Sequence, residues 1–139
     1  MTTFESEIKK AEYNDSEIFG LLSDLNNIEK IMDKIPQDKI KDLEFDTDSC
    51  RFTIDMAGQI GLRIVEREPF KTIKFESEFS PVNFNLWIQL KQVEEKDTRV
   101  KVTLKADLSM MMKMVLSQPM ETFVNKLAEI ISQLPYSTY

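Results

Sequence analysis

Residues 84–108 read FNLWIQLKQVEEKDTRVKVTLKADL, and this stretch decides the fold. Apolar side chains occupy every second position on both sides of a charged segment at residues 94–97. Such alternation is typical of antiparallel strands that have one buried face and one solvated face. The same period of two extends back to residue 39, with turn-forming segments near residues 46–49, 57–58, 68–69 and 80–81. The sequence therefore predicts six consecutive antiparallel strands.

Helical periodicity flanks this region on both sides. Residues 14–17 are polar and acidic, which suits a helix start, and the apolar positions after them predict two short helices that break near Asn26 and end before Pro36. After the strands, a wide apolar stripe over residues 112–134 predicts a long helix. Pro119 inside this stripe indicates either a kink or the true start of that helix. Residues 2–13 alternate and predict one further strand.

Composition narrows the class of protein. The chain has 139 residues, 42% of them hydrophobic, which predicts a single domain over residues 1–139. A net charge of −6 with interleaved signs argues against a nucleic-acid binder. One cysteine permits no internal disulfide, and the apolar runs are too short for stable membrane insertion, so we expect a cytoplasmic protein.

Histidine does not occur in the sequence. Its absence removes the Ser-His and Cys-His nucleophile pairs and the most common metal ligand. We therefore expect no metal site and no cofactor, and we favour a binding protein over an enzyme.

The order of strand, two helices, six strands and long helix resembles the START-like superfamily, also called SRPBCC or polyketide cyclase/Bet v 1-like. Residues 12–19, EYNDSEIF, resemble its strand-to-helix passage. Residues 22–28, LSDLNNI, are similar to its loosely patterned L-S-D-x-x-N stretch, and residues 120–134 match its last helix in place and length. The resemblance implies an α+β helix-grip fold, in which a curved antiparallel sheet of about seven strands (β-α-α-β6-α) wraps around the C-terminal helix.

The resemblance also implies a function. Members bind lipids, sterols, hormones or polyketides in an apolar cavity between the sheet and the last helix. A minority catalyse cyclisation or dehydration, and some act through protein partners. The superfamily shares no catalytic residues, so the resemblance implies no reaction for this chain.

A cavity of this kind would be lined by the in-phase apolar rows of the strands and by the stripe of the last helix. The predicted lining residues are Phe52, Ile54, Leu62, Ile64, Phe75, Ser77, Phe84, Leu86, Ile88, Met112, Met120, Phe123, Val124 and Leu127. Phe45 and Phe79 also fall on predicted inward faces. Each of these residues can equally belong to a filled core.

A cluster of methionines lies at or just before the last helix: Met110, Met111, Met112, Met114 and Met120. Because methionine is flexible and polarisable, such a cluster suits an adaptable apolar site. The alternative is ordinary core packing with a few exposed methionines.

Polar residues in phase with the apolar rows are candidates for chemistry. Glu66 continues the row of Ile64 and could orient a ligand or act as a general acid or base with Ser77 or a tyrosine. It could instead lie solvated at the sheet edge beside Pro69. Ser6 falls in phase with Phe4 at the start of the chain.

Four further residues have two interpretations each. Trp87 falls on the solvated face, where it could anchor a partner or a dimer, or pack under an N-terminal helix. Cys50 beside Arg51 is either a reactive thiol or a bystander. Tyr136 and Tyr139 end the chain, and we expect them to be frayed rather than functional.

Three hypotheses follow. The first is non-enzymatic binding of an apolar, lipid-like small molecule between the sheet and the last helix by a monomer or homodimer. The second is a protein-interaction module with a filled interior. The third is a polyketide cyclase- or dehydratase-like enzyme that uses Glu66.

Overall fold

The computed structural model describes residues 1–35, 40–54, 58–80 and 82–139, with Ile54 described by its backbone. The helices are α1 (Asp15–Leu22), a 3-10 helix (Leu25–Lys34), α2 (Met110–Gln133) and a short 3-10 turn (Tyr136–Thr138). The strands are β1 (Thr2–Glu5), β2 (Lys9–Ala11), β3 (Ile40–Phe45), β4 (Ser49–Ile54), β5 (Gly58–Glu68), β6 (Thr72–Glu78), β7 (Phe84–Glu94) and β8 (Asp97–Ala106).

The strands form one antiparallel sheet in the order β1-β8-β7-β6-β5-β4-β3, and β2 also pairs with β8. Strands β3 to β8 are the six consecutive strands that the alternating pattern predicts, so that prediction is confirmed. The longest pairing joins β7 to β8, from Phe84 opposite Ala106 to Glu94 opposite Asp97. The deciding stretch of sequence therefore forms two interior strands of the sheet, the second and third from the β1 edge.

The first predicted strand is split in two at residues 6–8. Ser6 takes part in the ladder at the break: its backbone N–H donates to Val102 O (2.8 Å), and its Oγ accepts from Val102 N (2.8 Å). The hydroxyl also donates to Glu7 O, so it acts both as donor and as acceptor. Beyond this break Ile8 is 64% exposed, and the continuous alternation predicted for residues 2–13 is wrong there.

The two N-terminal helices separate at Ser23 and Asp24, slightly before the predicted break at Asn26. Asp24 caps the 3-10 helix by accepting from Asn26 N at 2.9 Å, and Asn27 Nδ2 donates to Leu21 O at 2.9 Å. The LSDLNN segment is therefore a helix junction held by its own polar side chains. Pro36 lies outside the described residues.

Arg67 connects this junction to the sheet through hydrogen bonds. The sequence pattern does not single out this residue. Its Nε donates to Ser23 O (2.9 Å), and its Nη2 donates to the Asp48 carboxylate (2.6 Å). Leu25 N also donates to Thr47 O in the β3–β4 turn. One guanidinium thus joins β5, the β3–β4 turn and the end of α1.

Helix α2 is continuous from Met110 to Gln133, with Pro119 in its interior. Ser109 caps it by accepting from Met112 N at 3.2 Å. The helix therefore starts well before Pro119. The alternative that Pro119 marks the start of the helix is wrong. Because proline has no N–H, the Val115 carbonyl lacks its usual helical donor at that turn.

Helix α2 packs along one margin of the sheet, against β8, β1 and β2. We call the face of the sheet toward α2 the inner face and the opposite face the outer face. Inner positions carry the core, for example Ile73, Leu86 and Val102, which are almost fully buried. Within the described part of the chain, no helix is long and apolar enough to span a membrane.

The C-terminus is anchored rather than frayed at Tyr136, which corrects the expectation for that residue. Its ring packs edge-to-face on Tyr13 with centroids 5.2 Å apart, and its hydroxyl donates to Ile131 O at 2.6 Å. Burial raises the pKa of the Tyr136 phenol. Tyr139, at the end of the chain, is exposed.

Candidate ligand-binding site between the sheet and the last helix

The sheet side of the predicted site is a continuous apolar surface. Strand register places Ile64 opposite Phe75, Phe75 opposite Leu86, and Leu86 opposite Leu104, which forms one inner row across four strands. The described sheet residues of the predicted apolar lining are all buried: Phe52, Leu62, Ile64, Phe75, Phe84, Leu86 and Ile88. The side chain of Ile54 lies outside the described residues.

The helix side differs along its length. Val124 is fully buried, whereas Met112, Met120, Phe123 and Leu127 are half-buried and pack against the core. No residue at positions 110–123 is buried, and every buried residue of α2 comes from Val124 onward. We call residues 110–123 the open half of α2 and residues 124–133 the anchored half.

Leu116 belongs to the same surface although it is absent from the predicted lining. It is half-buried against the core, one helical turn from Met112 and Met120. The apolar stripe of the last helix contains Leu116, so the spacing alone was sufficient to identify it.

The methionine cluster divides into two groups. Met112 and Met120 face the core, whereas Met110, Met111 and Met114 are 84%, 76% and 83% exposed. Helical spacing turns three of the five methionines toward solvent, so the five do not form one surface toward the core. Met112 and Met120 fit both an adaptable apolar site and ordinary core packing with a few exposed methionines.

Ser77 lies on the inner face opposite Leu62, as the pattern predicts. Its Oγ accepts a hydrogen bond from Phe84 N at 3.0 Å. The hydroxyl therefore ties the end of β6 to the start of β7. Within the described residues, every buried side-chain nitrogen or oxygen has a hydrogen-bond partner.

Glu66 is displaced from the inner row by an irregularity in β5. The register shifts between Ile64 and Glu66, so Glu66 pairs with Lys74 and is exposed. A β-bulge of this kind inserts one extra residue and turns the following side chains to the other face. Glu66 is therefore separated from Ser77, and chemistry that uses the two together has no geometric basis.

Phe79 does not lie on the inner face, which corrects the expectation for that ring. Its φ of 53° lies in the left-handed region, just after β6 ends at Glu78. This turn breaks the alternation, and the ring is 69% exposed with the Arg51 guanidinium 5.7 Å from its centroid. Phe45 is half-buried and packs against the core.

Cys50 is a buried thiol on the inner side of β4, opposite Leu62. Burial, with a smaller contribution from Asp46, raises the pKa of Cys50 to about 12. Burial therefore favours the protonated thiol over the thiolate, which supports the interpretation of Cys50 as a bystander.

The outer face of the sheet is polar and charged. Two ion pairs, Arg51 with Glu44 and Arg63 with Glu78, each have a shortest N–O distance of 2.7 Å. A shallow cleft of about 330 Å³ opens among these side chains and Phe79. The predicted lining residues do not contribute to this cleft.

Trp87 lies on the outer face opposite Lys74 and Thr103. The ammonium groups of Lys74 and Lys105 are 5.4 and 5.6 Å from its ring centroid. The ring is half-buried between the two lysine side chains.

The sequence matches no family model and no curated protein. Solved structures match at the level of the fold. Norcoclaurine synthase from Thalictrum flavum, in complex with dopamine and hydroxybenzaldehyde, has a TM-score of 0.76 at 10% identity over 99% of this chain and 88% of that chain. A START superfamily protein from Mycobacterium smegmatis has a TM-score of 0.67 at 12% identity, over 94% of each chain.

A third structure, the Aha1 dimer from Colwellia psychrerythraea, has a TM-score of 0.63 at 14% identity, over 96% of this chain and 98% of that chain. These matches agree with the order of elements and with the long last helix against the antiparallel sheet. The protein therefore has the START/Bet v 1-like helix-grip fold.

Proposed function

We propose that this chain binds an apolar, lipid-like small molecule between the inner face of the sheet and the open half of α2. One observation supports the proposal most strongly. The inner row of the sheet is buried, whereas Met112, Leu116 and Met120 on the helix side are half-buried. The apolar core is therefore only partly covered along the open half of α2.

The physical chemistry of this partly covered apolar surface suits an apolar ligand. Covering half-exposed aliphatic surface contributes about 25 cal/mol per Å². Methionine side chains adapt to different shapes, so Met112 and Met120 can move without a large cost in packing. The buried side-chain nitrogen and oxygen atoms of the described residues are already hydrogen-bonded, which leaves apolar contact as the main source of affinity there.

The fold relatives give support by analogy. Norcoclaurine synthase, which shares the fold, is observed in complex with small aromatic molecules. At 10% identity this likeness concerns the fold, and it transfers neither a ligand nor a reaction to this chain.

A titration with a fluorescent fatty acid tests the proposal. We expect saturable binding that Met120→Gln weakens about tenfold, because the polar amide would be desolvated against the ligand. Met114→Gln is the matched control on the solvent side of the same helix, and we expect unchanged affinity. Thermal unfolding of both variants separates loss of the site from loss of the fold.

Two outcomes would contradict the proposal. One is the absence of saturable probe binding by the folded chain, together with no bound small molecule in native mass spectrometry before solvent extraction. The other is equal weakening by Met120→Gln and Met114→Gln, which would place the probe on the outside of the helix.

A further inference from the structure

The outer face carries cations of two kinds. Five of them are ion-paired: Lys10 and Arg99 with Asp97, Arg51 with Glu44, Arg63 with Glu78 and Lys101 with Glu5. In the described part of the chain, Lys74 and Lys105 have no carboxylate within 4.0 Å and instead flank the Trp87 ring. In a chain of net charge −6, two such lysines beside the single tryptophan are a distinct local feature.

We propose that Lys74, Trp87 and Lys105 form a docking site for a short acidic segment of a partner protein, and we call these three residues the tryptophan patch. The segment would place carboxylates on the two lysines and an apolar side chain on the indole ring. This site is on the outer face, so it is independent of ligand binding under α2.

The geometry fits one extended segment. Strand register places Lys74 directly opposite Trp87, and Lys105 lies on β8, which pairs with β7 on its other side. Both ammonium groups are within 5.6 Å of one ring centroid. In an extended chain side chains i, i+2 and i+4 point to one face and span about 13.6 Å, so one Glu-x-Phe-x-Glu segment can present a carboxylate to each lysine and its aromatic ring to the indole.

The surroundings favour an acidic protein over a nucleic acid. Glu66 lies directly opposite Lys74 on β5, Glu76 lies two residues from Lys74 on β6, and Glu5 lies opposite Thr103 on β1. These carboxylates would repel a polyphosphate that extended beyond the patch, and nucleic-acid binding requires several phosphate contacts. Two available cations around a tryptophan match the small aromatic centre and charged rim of a protein-binding hot spot.

Trp87 also provides the measurement, because it is the single tryptophan of the chain. The probe is a synthetic peptide that carries Glu-Ser-Phe-Ser-Glu between serine and glycine residues, with the Gln-Ser-Phe-Ser-Gln peptide as its counterpart. We expect a saturable change in tryptophan fluorescence with the first peptide and at least about tenfold weaker binding of the second. We also expect the affinity to fall as salt is added.

Single substitutions show which residues of the chain bind the peptide. Lys74→Gln and Lys105→Gln should each weaken binding of the Glu-Ser-Phe-Ser-Glu peptide about threefold or more, whereas Lys126→Gln on the exposed side of α2 removes the same charge and should have no effect. Peptide binding to Trp87→Phe, measured by calorimetry, tests the contribution of the indole ring. This substitution should cost little stability.

Equal affinity for the two peptides, or equal losses in all three lysine variants, would overturn the proposal. Tighter binding of a single-stranded oligonucleotide or of anionic vesicles at the same residues would also overturn it. The fatty-acid titration is read separately, so failure of one site is distinguishable from failure of the other.

Discussion

The two halves of α2 show how one helix can serve two purposes. In the anchored half, Val124 and Ala128 are fully buried against the sheet. In the open half, residues of the same apolar stripe are half-buried, and three methionines point to solvent. The comparison indicates that the anchored half stabilises the fold, while the open half leaves apolar side chains only partly covered, and our proposal assigns that surface to the ligand.

The largest expected effect comes from truncating the two halves at matched positions. Ile131→Ala in the anchored half should lower the free energy of unfolding by about 2–5 kcal/mol, because it removes atoms from a nearly fully buried site. Leu116→Ala in the open half should lower it by about 1 kcal/mol, because that side chain is already partly solvated. Urea unfolding measures both, and equal losses would contradict the distinction between the halves.

The attachment of the two N-terminal helices to the sheet should depend on Arg67. Arg67→Gln removes the hydrogen bonds to Ser23 O and Asp48, and we expect a loss of about 1 kcal/mol, since the guanidinium is partly exposed. Lys71→Gln is the control, because its 3.9 Å contact with Glu68 is solvent-exposed. If the two variants have the same stability, the junction is not fastened by Arg67.

Alkaline pH should destabilise the folded chain through its buried thiol. The folded-state pKa of Cys50 is raised to about 12 from an ordinary value of 9.0, so its contribution to stability is fully present below pH 9 and is lost as the pH rises toward 12. Burial of Tyr136 acts in the same direction. Urea unfolding at several pH values should show a shallower alkaline loss in Cys50→Ala than in the unaltered chain.

The informative quantity in that experiment is the slope of the free energy of unfolding against alkaline pH, rather than the free energy of unfolding at any one pH. Cys50→Ala also removes buried volume, and this lowers the stability by the same amount at every pH. An unchanged alkaline slope in the variant would mean that the thiol ionises in the folded state near its ordinary pKa.

The smallest effect is expected on the solvent side of the open half. Met114→Gln should change the free energy of unfolding by no more than about 0.5 kcal/mol, since the side chain is exposed. A loss comparable to that of Leu116→Ala would show that Met114 is covered in solution.

Features that depend on the spacing of apolar residues and on the order of helices and strands could be predicted from the sequence. Six strands, two short helices and a long last helix follow from apolar spacing, and the sheet side of the site follows from the alternating rows. The order of elements was also sufficient to predict the helix-grip fold, which the solved structures confirm.

Local departures from periodicity could not be predicted in the same way. The register shift before Glu66 and the left-handed turn at Phe79 each move a side chain away from its predicted face. Both depend on strand pairing and loop closure, which no short stretch encodes. The role of Arg67 likewise depends on residues more than forty positions from one another, since it contacts Ser23 across the fold.

Hydrogen exchange of α2, with and without a saturating fatty acid, tests the central claim most directly. Without ligand we expect amides at residues 110–123 to exchange faster than those at residues 124–133. With ligand, protection should rise in the open half and stay unchanged in the anchored half. Equal exchange in both halves, with no change on addition of the fatty acid, would contradict binding under the open half of α2.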